Sequence, residues 1–377
     1  MEIYLDNSAT TPLCKEARDA MLSAAEVSYG NPSAVHGKGI EAKTLLETAR
    51  RQVASVVGAS PREIRFSHSG TLANNTAIFG AAAANRRSGN RIVTTAVEHP
   101  SVARCMDALE QQGFEVIRLK PSDDGHFSVE DLFSAVNKNT ILISAMLVNN
   151  ETGAVNPVRQ IADAVRQAGA PALIHVDAIQ GFGKLPLKTD ALKADLMTFS
   201  GHKVHAPKGV GALYIRKGVK IKNYIYGGGQ EDNLFSGTEP VPAIAGFGAA
   251  AAALGNIDRS LERAERLRET MIENLSDVPG FRLNSPADAL PYVINLSVTG
   301  IPSQVMINAL SQKGIYVSAG SACKKGRRSE VLTAMGVPPA VIDSAIRVSL
   351  SRFTTEEDVL GFCAGVQEAA GKLRRKR

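Results

Sequence analysis

Cysteine is scarce in this chain, with four in 377 residues, at Cys14, Cys105, Cys323 and Cys363. None forms a Cys-x-x-Cys pair and no histidine cluster stands near them, which argues against zinc or an iron–sulfur cluster held by this chain. His202 and His205 are spaced like a metal pair, but no carboxylate neighbours them and Lys203 lies between. No metal site is therefore expected. Long apolar runs are missing too: the alanine-rich stretch 248–254 falls far short of a bilayer crossing, so no membrane partner is expected. The opening Met1-Glu2-Ile3-Tyr4-Leu5-Asp6 lacks a secretory pattern, and the expected location is cytoplasmic. Aromatic residues make up 5%, and no stacking platform accompanies the basic tail 372–377. Direct nucleic-acid binding is not expected despite a net charge of +6. There is neither an internal repeat nor a low-complexity linker.

What is present fits a large globular enzyme. With 44% hydrophobic and 21% charged residues the chain can bury a substantial core, and its length exceeds the usual single domain. Apolar runs at 91–97, 141–148, 172–176, 196–199 and 212–215 read as strands, and segments 39–57, 158–168 and 243–254 read as helices. Their alternation predicts an α/β fold, a mostly parallel sheet covered by helices.

Polar residues gather where these strands end. Lys203 lies in Ser200-Gly201-His202-Lys203, between a strand and a return through Gly209 and Gly211. A partly desolvated lysine at a sheet edge suits a covalent cofactor anchor. Ser200 and His202 beside it are donors suited to a phosphate. Asp177 closes another strand, with Gln180 three residues on. A carboxylate there can keep the ring nitrogen of pyridoxal phosphate protonated, which lets the ring accept electrons. His99 follows the strand 91–97 and precedes Pro100, which stops it, and Ser101, which can open a helix. An imidazole at that edge can stack on a flat ring and shuttle protons. Asn149, Asn150 and Glu151 follow the run 141–148 to the same kind of strand end, where α/β folds place ligands.

Together with Gly30-Asn31-Pro32-Ser33, Val148-Asn149-Asn150-Glu151-Thr152-Gly153 and Ser236-Gly237-Thr238-Glu239, these blocks make the chain resemble a cysteine desulfurase of the NifS/IscS type. That type belongs to the class V aminotransferase group of fold type I pyridoxal-phosphate enzymes. The resemblance runs from Tyr4-Leu5-Asp6-Asn7-Ser8-Ala9-Thr10-Thr11-Pro12 to Ser349-Leu350-Ser351-Arg352-Phe353-Thr354. It implies a large domain over 14–255, with 1–13 and 256–377 forming a smaller α+β domain, and a homodimer.

It also implies roles. Lys203 would anchor pyridoxal 5'-phosphate, Asp177 would face its ring nitrogen, Gln180 its phenolic oxygen, and His99 would stack on the ring. Gly70, Thr71, Ser200 and His202 would bind the phosphate, with Thr238 reaching it from the second subunit. Asn150 and Arg347 would hold the carboxylate of L-cysteine, a task for which the guanidinium fork is suited. Cys323, in Ser321-Ala322-Cys323-Lys324-Lys325-Gly326-Arg327-Arg328, matches the family's cysteine loop. The small residues before it and four cations after it favour an exposed thiolate. Cys323 would attack the substrate sulfur and keep it as a persulfide while alanine leaves, with Lys203 and His99 as proton carriers. The sulfur would then pass to an acceptor such as an iron–sulfur scaffold or a tRNA-thiolation enzyme; these four cations and the basic tail 372–377 suit the guiding of an acidic acceptor protein toward Cys323.

Two stretches depart from the family's pattern. The phosphate loop reads Phe66-Ser67-His68-Ser69-Gly70-Thr71-Leu72, with Leu72 in place of a glutamate and an unexpected His68. Phe235 stands where an arginine is common. Two other readings stay open on the sequence: a selenocysteine lyase or other class V lyase or aminotransferase, and a weakened sulfur-carrying scaffold.

Overall fold

In the computed structural model, which describes residues 2–319 and 328–375, the short runs rich in aliphatic and β-branched residues form twelve strands. They are β1 (Ile3–Tyr4), β2 (Ile64–Ser67), β3 (Arg91–Thr95), β4 (Glu115–Leu119), β5 (Thr140–Met146), β6 (Leu173–Asp177), β7 (Leu196–Ser200), β8 (Gly211–Ile215), β9 (Phe281–Leu283), β10 (Val293–Val298), β11 (Ile315–Tyr316) and β12 (Ala345–Ser349). Seven of them make one sheet in the order β2-β8-β7-β6-β5-β3-β4. Every residue of β5 and β7 is buried, as expected of strands covered on both faces. β8 runs antiparallel to β2 and β7, and the remaining pairings are parallel. The carboxyl ends of β3, β5, β6 and β7 therefore open on one edge.

The covering helices include α1 (Lys15–Glu26), α2 (Gly37–Val57), α3 (Gly70–Asn85) and α4 (Pro100–Gln111). α3 lies on the sheet through fully buried Ile78 and the alanines Ala73, Ala77, Ala81 and Ala82, which are small enough to let helix and strands approach closely. α2 stops at Gly58, whose φ of 68° takes up the left-handed cap that a side chain would disfavour. Against α2 packs the helix Val241–Ala252, where a Cβ on Gly248 would come within 2.4 Å of the Ala49 Cα. No single helix among the described residues is long and apolar enough to cross a membrane.

Two smaller sheets follow. β9, β10 and β12 form an antiparallel sheet in the order β12-β10-β9, and β1 pairs in parallel with β11. The N-terminal segment thus leaves β1 beside C-terminal strands, bridges Asp6 to Ser349, and continues toward the large sheet.

The strands expected at 91–97 and 141–148 end earlier, at Thr95 and Met146. Val97 is buried but lies in the turn that follows β3, and buried Val148 pairs only in an isolated antiparallel bridge with Val155. Hydrophobicity marks burial there rather than pairing in the parallel sheet. Helix α4 begins at Pro100 with His99 as its cap, so the histidine is fixed by the helix start itself.

Candidate active site

β7 delivers Ser200 to a single 3-10 turn, Gly201–Lys203. The Lys203 Nζ donates to the carbonyls of Ser8 at 2.5 Å and Ala9 at 2.8 Å. The same N-terminal segment clamps the turn from outside: the Thr11 N–H and Oγ1 both donate to the His202 carbonyl, at 2.9 and 3.0 Å. His205 is buried at φ 65°, a left-handed conformation that a non-glycine residue adopts at a cost. Its N–H donates to Thr11 Oγ1 at 2.8 Å, and its ring Nδ1 lies 2.9 Å from the Pro12 carbonyl.

Asp177 ends β6 and is buried. It accepts from the Asn74 Nδ2 at 2.8 Å and from the Ile179 N–H at 3.0 Å. Burial pushes its carboxyl above the ordinary aspartate range, against those two donors and the charges of His99 and Lys203. A cationic ring nitrogen set against this carboxylate would supply the counter-charge that burial calls for.

From Asp177 a polar chain runs to His99. The Asn74 amide also donates to Ser101 Oγ at 2.9 Å, while Thr198 Oγ1 donates to Asn74 Oδ1 at 2.6 Å. Ser101 Oγ lies 2.8 Å from His99 Nδ1, and the Ser101 N–H donates to that nitrogen at 3.1 Å. A backbone N–H only donates, so Nδ1 is an acceptor and the proton of the neutral ring sits on Nε2. Burial holds the ring toward neutrality. The preceding Glu98 accepts from Thr95 Oγ1 at 2.7 Å and from the Met146 N–H at 2.9 Å; burial pushes its carboxyl up to about 8, against these two donors and with help from the Asp177 charge.

Gln180 links the lysine turn to a second amine. Its Nε2 donates to the Ser8 carbonyl at 3.0 Å, sharing that oxygen with Lys203, and its Oε1 accepts from the Lys184 Nζ at 3.2 Å. Lys184 is buried; desolvation, with the facing charges of Lys203 and Arg347, pulls its amine down to about 7.

The phosphate candidates sit at the start of α3 and beside it. Ser69 caps the helix by accepting from the Leu72 N–H at 3.1 Å. At Gly70 a Cβ would come within 2.5 Å of Ile179 and 3.1 Å of the Ser200 Cβ, and at Gly211 within 2.9 Å of the Gly70 nitrogen. Only bare backbone fits this cradle, and a helix N-terminus offers N–H groups and a positive dipole to a phosphate. Burial and the nearby lysines Lys203, Lys208 and Lys184 pull His202 down to about 4, leaving a neutral ring. Lysine, buried carboxylate, imidazole and glycine cradle around one sheet edge fit pyridoxal phosphate.

Arg347, on β12, donates through Nη1 to the Asn150 carbonyl at 2.9 Å and through Nη2 to Asp6 Oδ1 at 2.9 Å. It is Asn150's backbone that makes this contact. Thr238 stands apart and exposed, on a segment bolted down by a buried ion pair. The Arg50 Nη1 and Nη2 donate to the two Glu231 oxygens at 2.7 and 2.8 Å, and the Phe66 N–H donates to the same carboxylate at 2.9 Å. Glu231, Asp232 and Asn233 all have left-handed backbones, at φ 50°, 54° and 65°. Phe235 is buried in an apolar cluster against which Leu72 also packs, so the two departures from the family's pattern share one hydrophobic neighbourhood. His68 is exposed. Cys323, Lys324, Lys325 and Arg327 lie outside the described residues. Arg328 is engaged within the chain, bidentate to Asp343.

Asn74, Ser8 and Lys184 were not among the residues expected in the site. Asn74 lies two residues past Leu72 with no local signal of a role, and the only signal for Lys184 is its spacing of four from Gln180.

The aminotransferase class-V family matches residues 3–362. The chain is 41% identical over 376 residues to the cysteine desulfurase IscS of Methanosarcina thermophila, covering 99% of this chain and 93% of that one. It is 40% identical over 366 residues to the cysteine desulfurase IscS of Dictyoglomus turgidum, covering 95% and 92%. Among solved structures, a NifS-like protein superposes with a TM-score of 0.93 at 37% identity, over 99% of this chain and 100% of that one. A NifS-like protein from Rickettsia africae gives 0.87 at 30% identity, over 98% and 100%.

Proposed function

From a chain that belongs to the aminotransferase class-V family, we infer a pyridoxal-phosphate-dependent cysteine desulfurase, which converts L-cysteine to L-alanine and passes the sulfur on. The observation that carries the reading is the match, at about 40% identity over nearly the whole chain, to curated cysteine desulfurases.

We assign Lys203 as the covalent anchor of pyridoxal 5'-phosphate, Asp177 as partner of its ring nitrogen, Gln180 of its phenolic oxygen and His99 as the stacking group. Gly70, Thr71, Ser200 and His202 take the phosphate, joined by Thr238 of a second copy in a homodimer. When bound, the cofactor supplies an electron sink for the substrate's α-carbon. Lys203, once freed from its anchoring role, is the amine that carries the α-proton, and the Ser8 and Ala9 carbonyls are its resting partners. His99 holds a proton on Nε2, ready to donate, because Nδ1 is engaged by Ser101. Arg347, oriented by Asp6 and the Asn150 carbonyl, receives the substrate carboxylate.

Sulfur transfer falls to Cys323. Cys14, Cys105 and Cys363 are buried, and burial pushes the Cys105 and Cys363 thiols up to about 12, where they remain protonated. The Cys323 thiolate attacks the substrate sulfur, the carbon–sulfur bond breaks, and a persulfide stays on Cys323. The acceptor is a protein of iron–sulfur assembly or tRNA thiolation, and the enzyme works in the cytoplasm. The division into 14–255 and 1–13 with 256–377 draws support from the large sheet holding β2 to β8 and from the pairing of β1 with β11.

Purified protein loaded with cofactor is expected to turn over L-cysteine to alanine, and Lys203→Ala is expected to lose both this activity and the visible absorption of the lysine-bound cofactor. Cofactor bound equally well and with the same absorption in Lys203→Ala would overturn the assignment.

A further inference from the structure

We propose that Lys184 is a positioning residue that sets which way the Gln180 amide faces, so that its NH2 rather than its oxygen is turned toward Lys203. The proposal rests on the reading of Gln180 as the donor to the cofactor's phenolic oxygen. An amide can be placed either way round, but while Lys184 carries its third proton the two partners here leave no choice. The Lys184 ammonium then offers only protons, and it holds Oε1 at 3.2 Å. The Ser8 carbonyl offers only lone pairs, and it holds Nε2 at 3.0 Å. The flipped amide would set two donors against each other at one end and two acceptors at the other.

Lys184 has no evident structural reason to be where it is. It is buried, yet it makes no ion pair among the described residues. The charged and titratable groups that act on it or that it acts on are Lys203, Arg347, His202 and His205, with no carboxylate among them. A buried amine without a counter-ion costs stability, so an apolar side chain of the same length would serve packing better. What the amine adds is its hydrogen bond to Gln180, four residues away in sequence. That bond ties the orientation of the amide to the Ser8 carbonyl, the oxygen on which Lys203 also rests.

A donor to the phenolic oxygen stabilises its anionic form, and so lowers the pH at which the lysine–cofactor linkage gives up its proton. The test is a spectroscopic pH titration of the cofactor-loaded wild type, Gln180→Ala, Lys184→Met and Lys184→Arg, with thermal melts of each cofactor-free protein. Gln180→Ala is expected to move the absorption midpoint to higher pH by about 0.5 to 1, the size of one net hydrogen bond. Lys184→Met is expected to move it the same way by a smaller amount, Lys184→Arg to restore it, and cofactor-free Lys184→Met to melt no lower than wild type. If Lys184→Met does not fold, Lys184→Gln replaces it, since its amide can face Gln180 with either a donor or an acceptor and is expected to give an intermediate midpoint. A Lys184 variant that titrates like wild type while Gln180→Ala shifts would overturn the proposal. A wild type that shows no cofactor absorption would instead overturn the reading beneath it.

Discussion

The Asn74 amide donates to the Asp177 carboxylate at 2.8 Å, joining the first turns of α3 to the end of β6 across 103 residues of chain. The same amide reaches Ser101, and through it His99. One side chain therefore orients both the carboxylate under the proposed ring nitrogen and the imidazole assigned to stack on the ring.

Asn74→Ala removes one of the two donors seen on a buried carboxylate. The loss is expected to cost about 1–3 kcal/mol of folding stability and to weaken cofactor binding by about tenfold or more. Urea denaturation and an equilibrium cofactor titration check it; unchanged values for both would mean that Asn74 only fills space.

Glu231→Ala leaves the Arg50 guanidinium buried with no bidentate partner and releases three consecutive left-handed residues. Breaking such a pair from one side is expected to cost about 3–5 kcal/mol, read as a lower denaturant midpoint. Because the segment also carries Thr238, cofactor affinity is expected to fall with it.

Much of this arrangement is legible in the sequence. Lys203, Asp177 and His99 were readable because each closes an apolar run, and Pro100 or a glycine turn marks where the strand must stop. The contact of Asn74 with Asp177 was not, since it depends on how closely α3 lies on the sheet, which the alanines permit but no local pattern announces. Phe235 read as a lost cation in sequence. In the fold it is a buried ring near a similarly apolar Leu72, because residues 163 apart share one cluster. Lys184 gave no sign of burial, as lysine almost always points to solvent.

Acid is expected to destabilise the cofactor-free protein through its buried imidazoles. Burial holds His175 down to about 3 and His202 and His205 to about 4, against 6.5 when exposed. The unfolded chain therefore takes up protons first as pH falls below 6.5, and the stability present above that pH is lost progressively toward 4 and 3. Denaturation midpoints at pH 7.5, 6, 5 and 4, each set by the solvent at about those values, should fall steadily. A flat profile from about 6.5 to 4 would contradict the burial of these rings.

Glu98 works in the opposite sense. Its folded pKa of about 8 lies above the ordinary 4.5, so its contribution is complete below 4.5 and is lost as pH rises through 8. Glu98→Gln keeps an oxygen for Thr95 and Met146 without the charge. It is expected to match wild type at low pH and to exceed it in stability above about pH 8, as shown by melts at both ends of the range.

The central claim is sulfur transfer through Cys323, and one assay addresses it most directly. L-Cysteine is given to the cofactor-loaded wild type and to Cys323→Ala in the presence of a thiol reductant, and alanine and sulfide are both quantified. The account predicts equal amounts of the two products from wild type and neither from the variant, with cofactor absorption intact in both. Alanine and sulfide formed at the wild-type rate by Cys323→Ala would contradict it.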